Sequence, residues 1–130
     1  IDDYAHHPRE IEASLSSIRE MWPDKRLTVA FQPHLYSRTN DFYPEFAKSL
    51  NLADQVILLD IYPAREQPIP GVTSGLIAER LTVPFVWVTK EEFPEYVKEN
   101  VKEGIFMTVG AGDIDRFIPI FTEMFGGTDC

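Results

Sequence analysis

The sequence has a single cysteine, Cys130, and because it is the last of 130 residues no disulfide can form within the chain. A single cysteine is compatible with a reducing compartment but does not prove one. No signal peptide is visible, and no apolar run approaches the roughly 20 residues of a membrane-spanning helix. We therefore expect a cytoplasmic protein that makes no use of a membrane.

Positive charge is also scarce. The chain has 12 lysines and arginines against 21 aspartates and glutamates, which gives a net charge of −9. A nucleic-acid surface needs a basic stripe that replaces the counterions of phosphates, and this composition does not provide one. A small anionic nucleotide such as ATP can still bind locally, so the charge excludes nucleic acid but not nucleotide chemistry.

The residues that are present suit one globular domain. Apolar residues make up 44% of the chain and aromatic residues 12%. A chain of this length buries about two thirds of the surface that it exposes when unfolded. The sequence begins with Ile1 rather than Met. We therefore expect a fragment of a longer protein.

The hydrophobic pattern alternates between two periodicities. Strand-like runs occupy residues 27–31, 55–62, 84–89 and 104–110, and the runs at 55–62 and 84–89 read as buried strands. Helical spacing occurs at residues 8–22, 41–51, 73–81, 90–104 and 113–125. Pro44 fits the second of these helices only in its first turn. Strands alternating with helices predict an α/β domain with a mostly parallel sheet and helices on both faces.

Ligands of such sheets bind beyond the carboxyl ends of the strands. The segments that follow the predicted strands are residues 32–41, 60–75, 89–92 and 110–115. The opening DDYAHHP precedes a helix in the same way, so we expect a further strand upstream of Ile1. These segments are where the sequence directs the search for a site.

The opening segment crowds titratable side chains before a helix: Asp2, Asp3, His6 and His7. Imidazole and carboxylate groups are zinc ligands, but adjacent residues rarely point at one ion and no cysteine or HxxxH pattern accompanies them. Alternatively, an Asp or His caps the helix that begins at Pro8. A helix cap explains only one of these four residues, so the others remain candidates for binding a ligand.

FQPHLYSRT, residues 31–39, places His34, Tyr36 and Arg38 just past a strand end. A guanidinium there can hold a carboxylate or phosphate with two parallel hydrogen bonds. It can equally be a surface arginine that pairs with Asp41 or Glu45. The spacing alone does not choose between these two interpretations.

Two glycine-containing segments carry weaker signals. PIPGVTSG precedes a helix and can be either an anion-binding turn or a stiff connector. VGAGDI resembles half of a dinucleotide fingerprint, but its third glycine is missing and it follows the last strand. No GxxxxGK[ST] phosphate-binding loop and no GxSxG nucleophile motif are present.

Four segments together resemble the C-terminal domain of the Mur ligases: DDYAHHPREI (2–11), FQPHLYSRT (31–39), DIYPAREQPIPGVTS (60–74) and VGAGDI (109–114). Among Mur ligases, they are most similar to the members that join L-alanine to UDP-N-acetylmuramate. The resemblance implies a Rossmann-like three-layer domain over residues 1–130. It also implies that the UDP-sugar domain and the P-loop ATPase domain of a three-domain ligase are absent from this chain.

The implied reaction is an ATP-dependent amide ligation in peptidoglycan precursor synthesis, with Mg²⁺ held mainly by the absent domains. By the resemblance, Asp3 and Tyr4 lie near the nucleotide and His6 lies near the reacting centre. The amino-acid subsite is implied to consist of His34, Tyr36 and Arg38, with Arg38 on the carboxylate of L-alanine. The isolated domain is expected to fold without catalysing.

One residue departs from the family pattern. Leu35 stands where many family members have an arginine, which leaves Arg38 as the arginine of that motif. A rival within the family is the ligase that attaches a preformed tripeptide to the same sugar nucleotide. Rivals of other classes are a stand-alone nucleotide-binding regulatory domain and a small α/β phosphatase.

Overall fold

The structure is a computed structural model that describes residues 2–3, 8–62, 65–100 and 104–109, with only the backbone described for residues 2–3. Its strands are β1 (Asp2–Asp3), β2 (Leu27–Phe31), β3 (Gln55–Leu58), β4 (Phe85–Trp87) and β5 (Ile105–Val109). Its helices are α1 (Pro8–Met21), α2 (Tyr36–Leu50), α3 (Gly75–Ala78) and α4 (Phe93–Asn100). No helix within the described ranges is long and apolar enough to cross a membrane.

The five strands form one sheet in the order β1-β5-β2-β3-β4, and every pairing is parallel. Across the carboxyl edge, one row of paired residues runs Asp3, Val109, Phe31, Leu58 and Trp87. The predicted parallel sheet is confirmed. The sequence predicts a further strand upstream of Ile1, whereas the fifth strand of the structure lies at residues 2–3, inside the polar opening. There, pairing with β5 outweighs the low strand propensity of aspartate.

Helices cover both faces of the sheet, as the sequence predicts. On one face, buried residues of α1, α2 and α3 cluster with alternate residues of the strands, including Ile11, Leu15, Val29, Phe31, Phe46, Val56 and Ile77. On the other face, α4 packs on the intervening strand residues, and this cluster includes Ala30, Ile57, Leu59, Phe93, Val97 and Phe106. The core therefore lies in two layers separated by the sheet, which is a three-layer α/β architecture.

Helix α2 begins five residues earlier than the predicted range of 41–51, at Tyr36. Pro44 consequently lies in the helix interior rather than in its first turn, which corrects the prediction. Proline has no N–H, so the carbonyl of Asn40, four residues earlier, receives no helical hydrogen bond from it. Asn40 is exposed. Water can therefore satisfy that carbonyl.

Strand β4 is not the buried strand that the sequence predicts. It is an edge of the described sheet, and the side chains of Phe85 and Trp87 are each 44% exposed. The physical reason is the helix beside it, because α3 has only four residues where the sequence predicts 73–81. A helix this short does not cover both aromatic rings.

The remaining boundaries agree more closely. Helix α1 and strands β2 and β5 lie within about one residue of their predicted ranges. Strand β3 is shorter than the apolar run at 55–62, and α4 occupies the middle of its predicted range. The predicted helix at 113–125 lies outside the described residues.

Asp54 joins three elements at the amino end of the sheet. Its Oδ2 accepts the backbone N–H of Leu27 at 2.7 Å, and its Oδ1 pairs with Nη2 of Arg19 at 2.9 Å. The Nε of Arg19 donates to the carbonyl of Leu52 at 2.8 Å. The hydrogen bond from Arg19, then that from Leu27, holds the pKa of Asp54 below its ordinary value against the opposing effect of burial.

An open groove of about 420 Å³ lies at this end, lined by Arg19, Pro23, Asp24, Lys25, Arg26, Asp54 and Pro84. Its charged groups largely bond to one another or to the chain, since Arg26 also donates to Gln55 at 3.1 Å. The groove lies at the amino ends of the strands, away from the edge where parallel sheets bind ligands. We interpret it as part of the attachment between α1 and the sheet.

Replacing Asp54 by asparagine should lower the free energy of unfolding by about 1 kcal/mol at pH 7, since solvent screens so exposed a pair. A carboxylate with a lowered folded pKa stabilises above its unfolded pKa, and the effect is lost as the pH falls through the folded pKa. The difference between Asp54→Asn and the parent should therefore shrink in urea unfolding near pH 3. If the difference in free energy of unfolding between Asp54→Asn and the parent stayed constant with pH, the role of the carboxylate would be contradicted. The control is Asp24→Asn.

Phe46 is 1% exposed, and its ring centroid lies 5.2 Å from that of Phe31. Truncation to alanine leaves a cavity between α2 and the sheet, so Phe46→Ala should lower the free energy of unfolding by about 3–5 kcal/mol. Met21→Ala removes a side chain that is 60% exposed and should cost less than about 0.5 kcal/mol. Equal effects of the two substitutions in chemical denaturation would contradict this description of the core.

Candidate functional site

The backbones that follow β2 and β3 stay paired beyond the ends of these strands. The N–H of Tyr62 donates to the carbonyl of Pro33, and the N–H of Leu35 donates to the carbonyl of Tyr62, both at 2.8 Å. His34 and Tyr62 thus form an isolated parallel bridge. The parallel backbone pairing of the sheet therefore continues into the segments after β2 and β3, where a ligand is expected.

The side chains of His34 and Tyr62 lie together on this bridge. Their rings stack with centroids 5.8 Å apart and planes 17° from parallel. Both residues are half-buried, and the Nδ1 atom of His34 is buried. The stack fixes the plane of the imidazole ring at the carboxyl edge of the sheet, next to the start of α2.

Leu35 links the bridge to α2 in an unusual conformation. Its φ is 71° and its ψ is 138°, a combination that is costly for a residue with a side chain, and among the described non-glycine residues it alone has positive φ. Its carbonyl accepts both the N–H of Thr39 at 3.1 Å and the Oγ1 hydroxyl of Thr39 at 2.9 Å. Because the N–H of Leu35 also donates to the carbonyl of Tyr62, both backbone polar groups of Leu35 are hydrogen-bonded. Backbone strain is concentrated at the predicted amino-acid subsite.

The other two residues predicted for that subsite begin the helix. Tyr36 is the first residue of α2 and Arg38 the third, and both are half-buried. Residues two apart on a helix do not share a face, so their side chains leave the first turn in different directions. The structure therefore puts His34, Tyr36 and Arg38 at one place without directing all three side chains to one point.

The first turn of α2 is capped from a distance by Glu66. Its Oε1 accepts the N–H of Ser37 at 3.0 Å, and its Oε2 accepts a hydrogen bond from the Ser37 hydroxyl. The hydroxyl of Ser37, then its N–H and that of Tyr36, lower the pKa of Glu66 from its ordinary value, helped by the nearby His34 and opposed by partial burial. Glu66 therefore stays ionised at the positive end of the helix.

The segment TSG before α3 behaves as a connector. The Ser74 hydroxyl is buried and donates to the carbonyl of Leu59 at 2.5 Å. The Thr73 hydroxyl oxygen accepts the N–H of Gly75 at 3.1 Å. Both hydroxyls are engaged with the chain itself, which favours the stiff connector over the anion-binding turn.

The residues predicted to lie near the nucleotide are only partly described. The backbone of Asp3 pairs with Val109, which also pairs with Phe31, so Asp3 lies at the same edge as His34 and two strands away. Tyr4, His6 and residues 110–115 lie outside the described residues. Within the described ranges, no group of three or more His, Cys, Asp or Glu side chains is placed to hold a metal ion.

Sequence reasoning assigned no role to Tyr62 or Glu66, although both lie in the segment 60–74. Tyr62 could have been found, because it lies four residues after the end of β3, close to the three residues that separate His34 from the end of β2. Glu66 gives no such signal. A cap from 29 residues away leaves no local pattern in the sequence.

Comparison with known proteins begins with the family model "Mur ligase, glutamate ligase domain", which matches residues 1–112. A UDP-N-acetylmuramate–L-alanine ligase of Phocaeicola vulgatus is 54% identical over 121 residues, 92% of this chain and 26% of that protein. The ligase of the same name from Porphyromonas gingivalis W83 is 51% identical over 119 residues, 91% of this chain and 26% of that protein. The chain thus spans about a quarter of the length of these curated relatives.

Solved structures agree with this similarity. The crystal structure of UDP-N-acetylmuramate-alanine ligase MurC from Thermotoga maritima matches with a TM-score of 0.71 and 29% identity, over 98% of this chain and 26% of that chain. A murein peptide ligase from Psychrobacter arcticus matches with a TM-score of 0.72 over 97% of this chain and 27% of that chain. Its identity is 17%, so it supports the fold alone.

Ser37→Ala should raise the pKa of Glu66 towards its ordinary value, because the Ser37 hydroxyl is the largest cause of the lowering. Glu92 is the matched control, since its pKa is lowered by Thr89 at the start of α4 and not by Ser37. Carboxyl-carbon NMR titrations of the parent and of Ser37→Ala measure the pKa values of Glu66 and Glu92 separately. A Glu66 titration that is unchanged by Ser37→Ala would contradict the geometry of this cap.

Proposed function

The chain belongs to the Mur ligase family, and from that premise we propose that it is the C-terminal domain of an ATP-dependent ligase that joins L-alanine to UDP-N-acetylmuramate. The supporting observation is identity of about half of the residues with ligases of that name across 92% of this chain. The domain would work with an N-terminal UDP-sugar domain and a central ATPase domain. Its need for ATP suits the cytoplasm.

The proposed chemistry has two steps. The muramoyl carboxylate attacks the terminal phosphorus of ATP. This step forms an acyl phosphate and releases ADP. The amino group of L-alanine then attacks the acyl carbon, and the resulting tetrahedral intermediate loses phosphate and a proton to form the amide. Negative charge develops on phosphoryl and acyl oxygens, so preorganised donors are required. A domain that closes over the site excludes the water that would hydrolyse the acyl phosphate.

Within this reaction we assign the bridge and the first turn of α2 to the amino acid. Arg38 is proposed to bind the carboxylate of L-alanine, since a guanidinium matches a carboxylate with two parallel hydrogen bonds. His34 and Tyr36 are proposed to border the same subsite. Asp3 and Tyr4 are proposed to lie near the nucleotide, and His6 near the reacting centre.

Mg²⁺ neutralises phosphate charge in reactions of this kind. The part of the chain that the structure describes has no cluster of ligands that fits the ion. We propose that the ligands of Mg²⁺ lie mainly on the other domains of the ligase, as the resemblance to the family implies. The residues of this domain contribute positioning and charge complementarity.

Similarity favours L-alanine over the rival tripeptide as the group that is added. The two relatives described above, both named for L-alanine addition, are 54% and 51% identical to this chain over 92% and 91% of its length. The test is phosphate release by the complete protein with UDP-N-acetylmuramate, ATP and Mg²⁺, comparing L-alanine with L-Ala-γ-D-Glu-meso-diaminopimelate. Turnover with L-alanine supports the proposal, and turnover with the tripeptide alone overturns it. ATP-dependent turnover by these 130 residues alone would also contradict the assignment to one domain of three.

Arg38→Ala in the complete ligase should raise the KM for L-alanine roughly 30-fold or more, because truncating one partner of a desolvated charge pair costs about 2–5 kcal/mol. The KM for ATP should stay within about twofold. Lys48→Ala is the matched control, since it removes a positive charge from the last turn of the same helix. Steady-state kinetics measure both, and an unchanged KM for L-alanine in Arg38→Ala would remove Arg38 from the subsite.

A further inference from the structure

Helix α2 starts without a cap of its own. The residue at its N-cap position is Leu35, whose side chain has no acceptor and makes no capping hydrogen bond. The first N–H groups of any helix lack partners within the helix and need an acceptor from elsewhere. At α2 this acceptor is the carboxylate of Glu66, which comes from the segment that follows β3.

The cap at α4 is made differently. At α4, Thr89 and Glu92 form a capping box, in which Oε1 of Glu92 accepts the Thr89 N–H at 2.9 Å and Oγ1 of Thr89 accepts the Glu92 N–H at 3.2 Å. That cap joins residues three apart and fixes only its own helix. The cap at α2 joins two segments at the carboxyl edge of the sheet.

Glu66 and Tyr62 therefore attach the same segment to the start of α2 at two points. Tyr62 holds the backbone of Leu35 through its carbonyl, and Glu66 holds the N–H and hydroxyl of Ser37. One attachment would fix only the position of the first turn of α2, whereas two attachments also fix its orientation. The first turn, which carries Arg38, is thereby oriented relative to the His34–Tyr62 stack.

We propose that Glu66 is a positioning residue for the amino-acid subsite, holding the first turn of α2 so that Arg38 meets the carboxylate of the incoming amino acid. Its carboxylate also occupies the helix N-terminus, an environment that attracts small anions. The substrate carboxylate is thus directed to the guanidinium rather than to the backbone N–H groups. This inference rests on the proposed function and extends it to a residue outside the motif 31–39.

The test compares three variants of the complete ligase. Glu66→Ala should raise the KM for L-alanine at least about tenfold, with kcat and the KM for ATP within about twofold, because a small displacement of a binding group costs much of its interaction. Glu66→Gln should stay near the parent, since an amide can accept from the Ser37 N–H and donate to its hydroxyl. Glu92→Ala should lower the melting temperature and leave the KM for L-alanine unchanged.

Chemical rescue separates positioning from general stability. Formate can enter the site vacated in Glu66→Ala and accept from the same donors. It should return the KM for L-alanine towards the parent value in Glu66→Ala, with equal chloride as the salt control. Formate added to the parent measures any competition for Arg38. No rescue, or an equal rise in KM for every substrate, would overturn the proposal.

A parent protein that does not use L-alanine would defeat the proposed function rather than this inference. Amide hydrogen exchange of the peptide that contains residues 36–39 requires no substrate and reports on the first turn directly. Glu66→Ala should accelerate exchange there by at least about tenfold, and Glu92→Ala should not. Unaltered exchange in Glu66→Ala would show that Glu66 does not hold the turn.

Discussion

The parallel pairing between β2 and β3 is the constraint on which the candidate site depends. Its hydrogen bonds continue past the strands: the N–H of Tyr62 donates to the carbonyl of Pro33, and the N–H of Leu35 donates to the carbonyl of Tyr62. The side chains of His34 and Tyr62 stack because their backbones are still held side by side at that level. The site is thus built on the sheet, which is more rigid than a free loop.

The two ends of the sheet use carboxylates for different purposes. At the amino end, Asp54 binds Arg19 and the N–H of Leu27 and so fastens α1 to the sheet. At the carboxyl end, Glu66 binds the start of α2, where α2 leaves the predicted subsite. The pKa values of Glu66 and Glu92 are lowered by hydrogen bonds from Ser37 and Thr89 at the starts of two helices, in agreement with the preference of helix N-termini for anions. The pKa of Asp54 is lowered first by the hydrogen bond from Arg19 and then by that from the N–H of Leu27.

Apolar periodicity predicted the parallel sheet and its two helical layers because both depend on burial, which a sequence records locally. The rule for parallel sheets also located the segment of His34 and Arg38, since it depends only on where a strand ends. The early start of α2 was not predictable, because its cap comes from Glu66, which is remote in sequence. The exposure of Trp87 depends on the length of α3 and on the position of β4 at the edge of the described sheet. The residues of β4 alone predict neither of these.

The order of the strands also constrains how the chain assembles. Strands β2, β3 and β4 are neighbours both in sequence and in the sheet, and each is joined to the next by one crossover that contains a helix. Strand β5 must then cross back to pair with β2, and only its free edge offers a partner to β1. Among the described strands, β1 pairs with β5 alone, so Asp3 cannot take its place at the carboxyl edge until Val109 has been synthesised.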